Sequence, residues 1–191
     1  MTLYIITVRQ WLAVPAALAL LMAVCLLVGE SEVPVPSITS GLGGAQLAFF
    51  TPILIVIAVM YCLDRNLGQA ETTAVLSIGT LDQGIVAVTA GLAHLAGLLV
   101  GMDIARNIVL LLAVALLVRR LINEAAATVA GLMVLILNLV AGRAYNPYGF
   151  VGHTWWAIAL YPADSVTAWL ITTLVFALAL RLALRAPGRV G

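Results

Sequence analysis

The run Gly101–Asn107, GMDIARN, sets an acid, a base and an amide side by side in a chain with few such groups. Asp103 and Arg106 are three apart, and Asp103 and Asn107 four apart, so on a helix all three share a face. That set can act as an ion pair pinning a turn at a membrane surface. It can also act as a polar gate at the top of a translocation path, since charges inside a bilayer are costly and mark function. His94 is the other titratable group within an apolar stretch. A proton relay would need a carboxylate at similar depth, and none is evident, so an interhelical hydrogen bond is the plainer expectation. Asn138 reads the same way. His94, Asp103, Arg106, Asn107 and Asn138 are therefore the candidate pathway or gate residues.

No catalytic constellation accompanies them. All nine basic residues are arginine, and the absence of lysine excludes a G-x-x-x-x-G-K-[ST] phosphate-binding loop. No G-x-S-x-G, H-E-x-x-H or C-x-x-C pattern occurs. Cys25 and Cys62 lie in or at the end of apolar segments and read as small buried hydrophobes. The expectation is a non-enzyme with no catalytic residues, no metal site, no directly bound cofactor and no nucleic-acid partner.

The elements that position these groups follow from composition. The hydrophobic fraction is 64% and the charged fraction 9%, and the mean hydropathy is +1.17. Soluble domains carry about a quarter charged residues, so this chain reads as an integral membrane protein. A span takes about 20 apolar residues. Six can be drawn, at 9–28, 45–63, 84–101, 104–122, 125–142 and 166–186, filling residues 1–191 as a single all-α transmembrane domain. The first is kept as a span because its apolar run is long and no A-x-A cleavage site follows. In the third, Ala93, Gly97 and Gly101 stand at small-xxx-small spacing, which favours close helix packing.

Arginine placement orients the spans. With a cytoplasmic N-terminus, Arg9, Arg65, Arg119, Arg120, Arg181, Arg185 and Arg189 fall on the inner side, and only Arg106 and Arg143 fall outside. Both termini are then cytoplasmic. Residues 29–44 form an outer loop that Pro34 and Pro36 extend and glycines loosen. Residues 143–165 form a second outer loop whose aromatics, Tyr145, Tyr148, Trp155, Trp156 and Tyr161 among them, suit an interfacial belt or a lid over an amphiphilic substrate. Within it, HTWWAIALY suits a short interfacial or re-entrant helix.

Residues 64–83 form the longest inner loop. Ala70, Ala74, Ile78 and Leu81 recur at helical spacing within a polar background, which predicts a short amphipathic helix that lies at the interface or docks into a partner groove. One arginine against three acids disfavours a lipid-surface anchor.

The stretch DRNLGQAETTAVLSIGTLDQGIVAVTAGLAH resembles the segment between the second and third spans of ABC-2-type transporter permeases. The elements that carry the likeness are Asp64, Arg65, Gly68, Glu71, Leu76, Ser77 and Gln83. Ser77-Ile78 stands where many members have Thr-Pro. The resemblance implies a cytoplasmic coupling helix between helices 2 and 3 that seats in an ATP-hydrolysing subunit. Its docking residues would be Asp64, Arg65, Gly68, Glu71, Thr72, Thr73, Leu76, Ser77 and Asp82. It further implies a permease half in a bacterial plasma membrane, paired with an identical or related second permease. A cytoplasmic ABC ATPase dimer would carry the ATP and Mg. The cargo would be an exported hydrophobic or amphiphilic compound such as a lipid, a peptide antibiotic or another natural product, with a role in resistance or immunity. A substrate-binding membrane subunit of a vitamin uptake system is the alternative of similar length and span number.

Overall fold

The computed structural model describes residues 10–38, 41–64, 78–145 and 151–184. Most of these are helical, in six α-helices joined by two short antiparallel hairpins. The helices are α1 (Ala13–Val28), α2 (Pro52–Leu63), α3 (Ile78–Val100), α4 (Met102–Leu121), α5 (Glu124–Ala141) and α6 (Val166–Leu184). One hairpin, β1 (Glu32–Ser37) with β2 (Gly41–Gln46), links α1 to α2. The other, β3 (Arg143–Tyr145) with β4 (Val151–His153), follows α5.

Local chemistry sets the boundaries. Pro52 opens α2 at a position where its missing N–H costs nothing. The Asn123 side chain caps α5 by accepting from the Ala126 amide at 2.8 Å. Asp103 lies in the first turn of α4 and Arg119 and Arg120 in its last, each matched to the helix dipole. The turn from α3 to α4 is the single residue Gly101, at φ 126°. A Cβ there would sit 2.7 Å from the Asp103 carboxylate as well as being strained in the backbone, so glycine is required.

α4 is the centre of the assembly and packs against α2, α3, α5 and α6. Its residues from Ile104 to Ala113 are all buried. Around them Leu21, Ile55, Val56, Val59, Leu135 and Leu139 complete the core. The small-residue seam does what its spacing implies. Ala93 is fully buried, and a Cβ added at Gly97 would fall 2.6 Å from the Ala105 Cβ, so α3 and α4 meet at van der Waals distance there.

The helices coincide with the apolar segments expected from sequence, with three differences. The 45–63 segment is broken: a 3-10 turn at Leu47–Phe50 precedes the twelve-residue α2. Residues 29–44 hold the β1–β2 hairpin, not a loose extended loop. Pro34 and Pro36 are two apart, so both missing donors fall on one edge of the strand and leave the other free to pair. The third helix begins at Ile78, not 84, so Ile78 and Leu81 belong to α3 and not to a separate docking helix. Gln83 explains part of that extension: its side-chain amide donates to the Leu180 carbonyl on α6 at 2.8 Å, which gives a polar residue a helical place.

Among the described residues, two helices, Leu81–Val100 and Val166–Ala183, are long and apolar enough to cross a membrane; α1, α5 and the 47–63 stretch are apolar but shorter. Only 17% of the Val166–Ala183 stretch is buried within the protein. Leu170, Leu174 and Leu178 on α6, and Val88, Leu95 and Leu98 on α3, are exposed.

Candidate functional site

Four of the five candidate gate residues, Asp103, Arg106, Asn107 and Asn138, lie toward one end of the bundle, the end where α1 and α5 finish and α3 turns into α4. Arg106 is completely buried. Its guanidinium donates to the backbone carbonyls of Tyr161 at 2.6 Å, Pro162 at 2.8 Å and Ala159 at 3.5 Å. Asn107 donates to the Ala159 carbonyl at 3.1 Å. From α5, Asn138 accepts from the Ala159 amide at 3.3 Å and donates to Val134 on its own helix at 2.8 Å. Three side chains on two helices thus grip one short segment, the 3-10 turn Ile158–Leu160 and the two residues after it.

This arrangement revises the surface ion-pair reading. Arg106 lies inside the protein, and the hydrogen bonds it makes run to main-chain oxygens. Asp103, one turn earlier, adds electrostatic attraction, but its carboxylate reaches back over Gly101 and the residue lines a cleft. The geometry is a clamp: a fixed planar cation with several donors converges on main-chain carbonyls in and just after a 3-10 turn. The Nε of Arg106 and the Oδ1 of Asn107 are buried with no hydrogen-bond partner, so the clamp is not saturated.

His94 stands apart. Its Nδ1 lies 2.6 Å from the Ala90 carbonyl of its own helix, and its ring lies 5.3 Å from that of Trp169 on α6. The expected interhelical hydrogen bond is therefore replaced by an intrahelical one with an aromatic contact across the helices. Trp169 itself donates to the Ala163 carbonyl at 2.9 Å.

Among the described residues, the aromatics expected on the outer side do not form one surface. Trp155 is 84% exposed, Trp156 is also exposed, and the Tyr161 hydroxyl donates to the Trp155 carbonyl at 3.1 Å. The Tyr161 ring packs on His153 at 4.0 Å. The expected HTWWAIALY helix is present only as the 3-10 turn Ile158–Leu160. Tyr145 ends β3, and Tyr148 lies outside the described residues.

At the same end lies a cleft of about 660 Å³ between the C-terminal turn of α1, the β1–β2 hairpin and the α3–α4 corner. Its floor is apolar, with Phe49, Val100, Ile104, Leu139 and Leu160, and its rim carries Glu30, Ser31, Gln46, Asp103 and Arg143. The hairpin is tied over α5 by Ile38 donating to the Val140 carbonyl at 3.0 Å and Arg143 donating to the Gly44 carbonyl at 2.8 Å. Sequence reading missed this cleft, because its walls come from elements spread from α1 to the 3-10 turn at Leu160, and the hairpin that forms one of them carries no strand-like apolar alternation.

The opposite end carries the cytoplasmic candidates. Asp64 closes α2 and is exposed. Arg119, near the end of α4, donates to the Leu63 carbonyl at 2.9 Å, tying the last turn of α2 to α4. Asp82 lies within α3. Arg65, Gly68, Glu71, Thr72, Thr73, Leu76 and Ser77 lie outside the described residues. Among the described residues, no group of three His, Cys, Asp or Glu side chains could hold a metal ion.

Comparison with protein-family models, with curated proteins and with solved structures finds no match to this chain.

Proposed function

We propose that the chain is a multi-pass membrane permease subunit of an ATP-driven exporter of the ABC-2 type, with a separate ATPase docking on the segment after Asp64. The observation that carries this reading is the polarity of the bundle. The charged segment leaves α2 at the end where Arg119 holds the Leu63 carbonyl, while Arg106 grips the 159–162 segment near the other end of the same helix. A push on the 64–77 segment has a direct route into α4 and through it to the outer loop. The apolar exposed faces of α3 and α6 support a lipid surround, because a soluble protein rarely leaves such continuous apolar area uncovered. On this reading all six helices lie in a bacterial plasma membrane with both termini inside. The chain functions with an identical or related partner, and ATP and Mg act on the ATPase dimer. The cargo is hydrophobic or amphiphilic, since no polar channel-like face runs through the helices.

Purification from the native membrane with a mild detergent tests it. Co-elution of an ATPase, lost on changing Glu71 and Thr73 to bulky residues, is the expected result. Recovery without any ATPase under conditions that preserve the fold would sink the reading. The cleft at the outer end favours the second reading, a substrate-binding subunit of a vitamin uptake system, because such a subunit needs a preformed outer pocket. A small molecule retained stoichiometrically on purification would favour it over export.

A further inference from the structure

We propose that the cleft beside Asp103 is a binding site for a single amphiphile with a protonated amine head and an apolar body. The volume, about 660 Å³, lies within the range of small-molecule sites. Beside the polar rim, Leu26, Leu27 and Leu99 also line the cleft and are 66%, 82% and 68% exposed, so a ligand enters past greasy side chains at the ends of α1 and α3. Deeper in, Val100, Ile104, Leu139 and Leu160 offer a dry wall.

The charge at the rim selects the head group. Glu30 is exposed and Asp103 half-buried, and both are acids lining the cleft, so their carboxylates are within reach of a ligand donor. Arg143 is the one base among the lining residues, and its guanidinium already donates to Gly44. Glu32 folds over that same glycine, within 2.5 Å of where a Cβ would stand, so a further acid lies beside the arginine. The lining therefore offers acceptors to a cation and little to an anion. An ammonium group makes charge-assisted hydrogen bonds to such carboxylates, stronger than those of a neutral alcohol.

This inference concerns ligand class and holds for export or uptake alike; it needs no ATPase, so its test fails or succeeds separately from the transport reading. Cys25 lines the cleft as a free thiol and reports on it. With Cys62 changed to alanine, the protein in phosphatidylcholine nanodiscs is treated with N-ethylmaleimide in the presence of decylamine, decanol or decanoate. Decylamine is expected to protect Cys25 at roughly tenfold lower concentration than the other two, and Asp103→Asn to erase that advantage; tenfold corresponds to one good polar contact. Glu30→Gln, at an exposed rim position that cannot disturb the core, is expected to reduce it in part. Equal protection by all three compounds, protection by decanoate above decylamine, an advantage unchanged in both variants, or a Cys25 that never reacts would each overturn the proposal.

Discussion

Arg106 and Pro162 are 56 residues apart in sequence and joined by a 2.8 Å hydrogen bond from the guanidinium to the carbonyl oxygen. The contact fixes the segment that leads into α6 against the most buried part of α4. A buried cation held by main-chain oxygens has no low-cost alternative partner, because moving away from them would leave its charge uncompensated in the core.

Arg106→Met is therefore expected to lower stability by about 1–3 kcal/mol, since it leaves the Tyr161 carbonyl without a donor, while Ala159 keeps Asn107 and Pro162 keeps the Ser165 amide. Arg106→Lys keeps the charge but not the fork that reaches Tyr161 and Pro162 together, and should recover less than half of that loss. Thermal unfolding in detergent measures both. Protease cleavage between Trp155 and Ser165 should rise in parallel, and an Arg106→Met protein as stable as the parent would contradict the clamp.

Asn107 and Asn138 bear on the same residue, one at the carbonyl and one at the amide of Ala159. Asn107→Leu removes one bond but also a buried oxygen without a partner, so its cost should be small, on the order of 0.5 kcal/mol. Asn138→Leu strands the Ala159 amide and should cost about 1–3 kcal/mol. Because all three side chains hold one segment, Arg106→Met combined with Asn138→Leu should cost less than the two changes summed. Strict additivity in that double-mutant cycle would show the two contacts to be independent.

How much of this could be read in advance depends on what kind of signal each element leaves. The six helices were legible because apolar runs end at Gly29, Asp64, Gly101, Asn123 and Gly142, each a residue that stops or caps a helix. The Ala93–Gly97 seam was legible from spacing alone. The β1–β2 hairpin was not: Pro34, Pro36 and the glycines opposite them have coil composition, and their pairing depends on register and on the ties to Val140 and Arg143. The partners of Arg106 were invisible because they are backbone carbonyls, which no side chain announces. Polarity at Thr80, Asp82 and Gln83 hid the start of α3, since the Gln83 bond to Leu180 crosses 97 residues.

The Gly97–Ala105 approach predicts a reciprocal pair. Gly97→Ala places a methyl group 2.6 Å from the Ala105 Cβ, so the helices must part, at about 1–3 kcal/mol. Ala105→Gly empties the opposing position and should restore most of that loss in the double variant, although alone it destabilises through a small cavity and helix propensity. Thermal melts of the four proteins decide it. If Gly97→Ala is neutral, α3 and α4 do not meet as closely as the backbone indicates.

The orientation of the bundle is open to a direct chemical test. In a background with Cys25 and Cys62 replaced, single cysteines at Thr73 and Trp155 probe the two ends. Trp155 is 84% exposed at the end that holds the cleft, and the chain leaves α2 toward Thr73 at the end where Arg119 meets Leu63. Arginine placement puts the second end in the cytoplasm. A membrane-impermeant maleimide added to intact cells should label Trp155→Cys and spare Thr73→Cys until the membrane is opened. The reverse pattern would turn the protein over, place the cleft in the cytoplasm and leave the 64–77 segment out of reach of any ATPase. Labelling of both sites from outside would mean that the helices between them do not cross the bilayer as a unit, and the permease reading would fall with them.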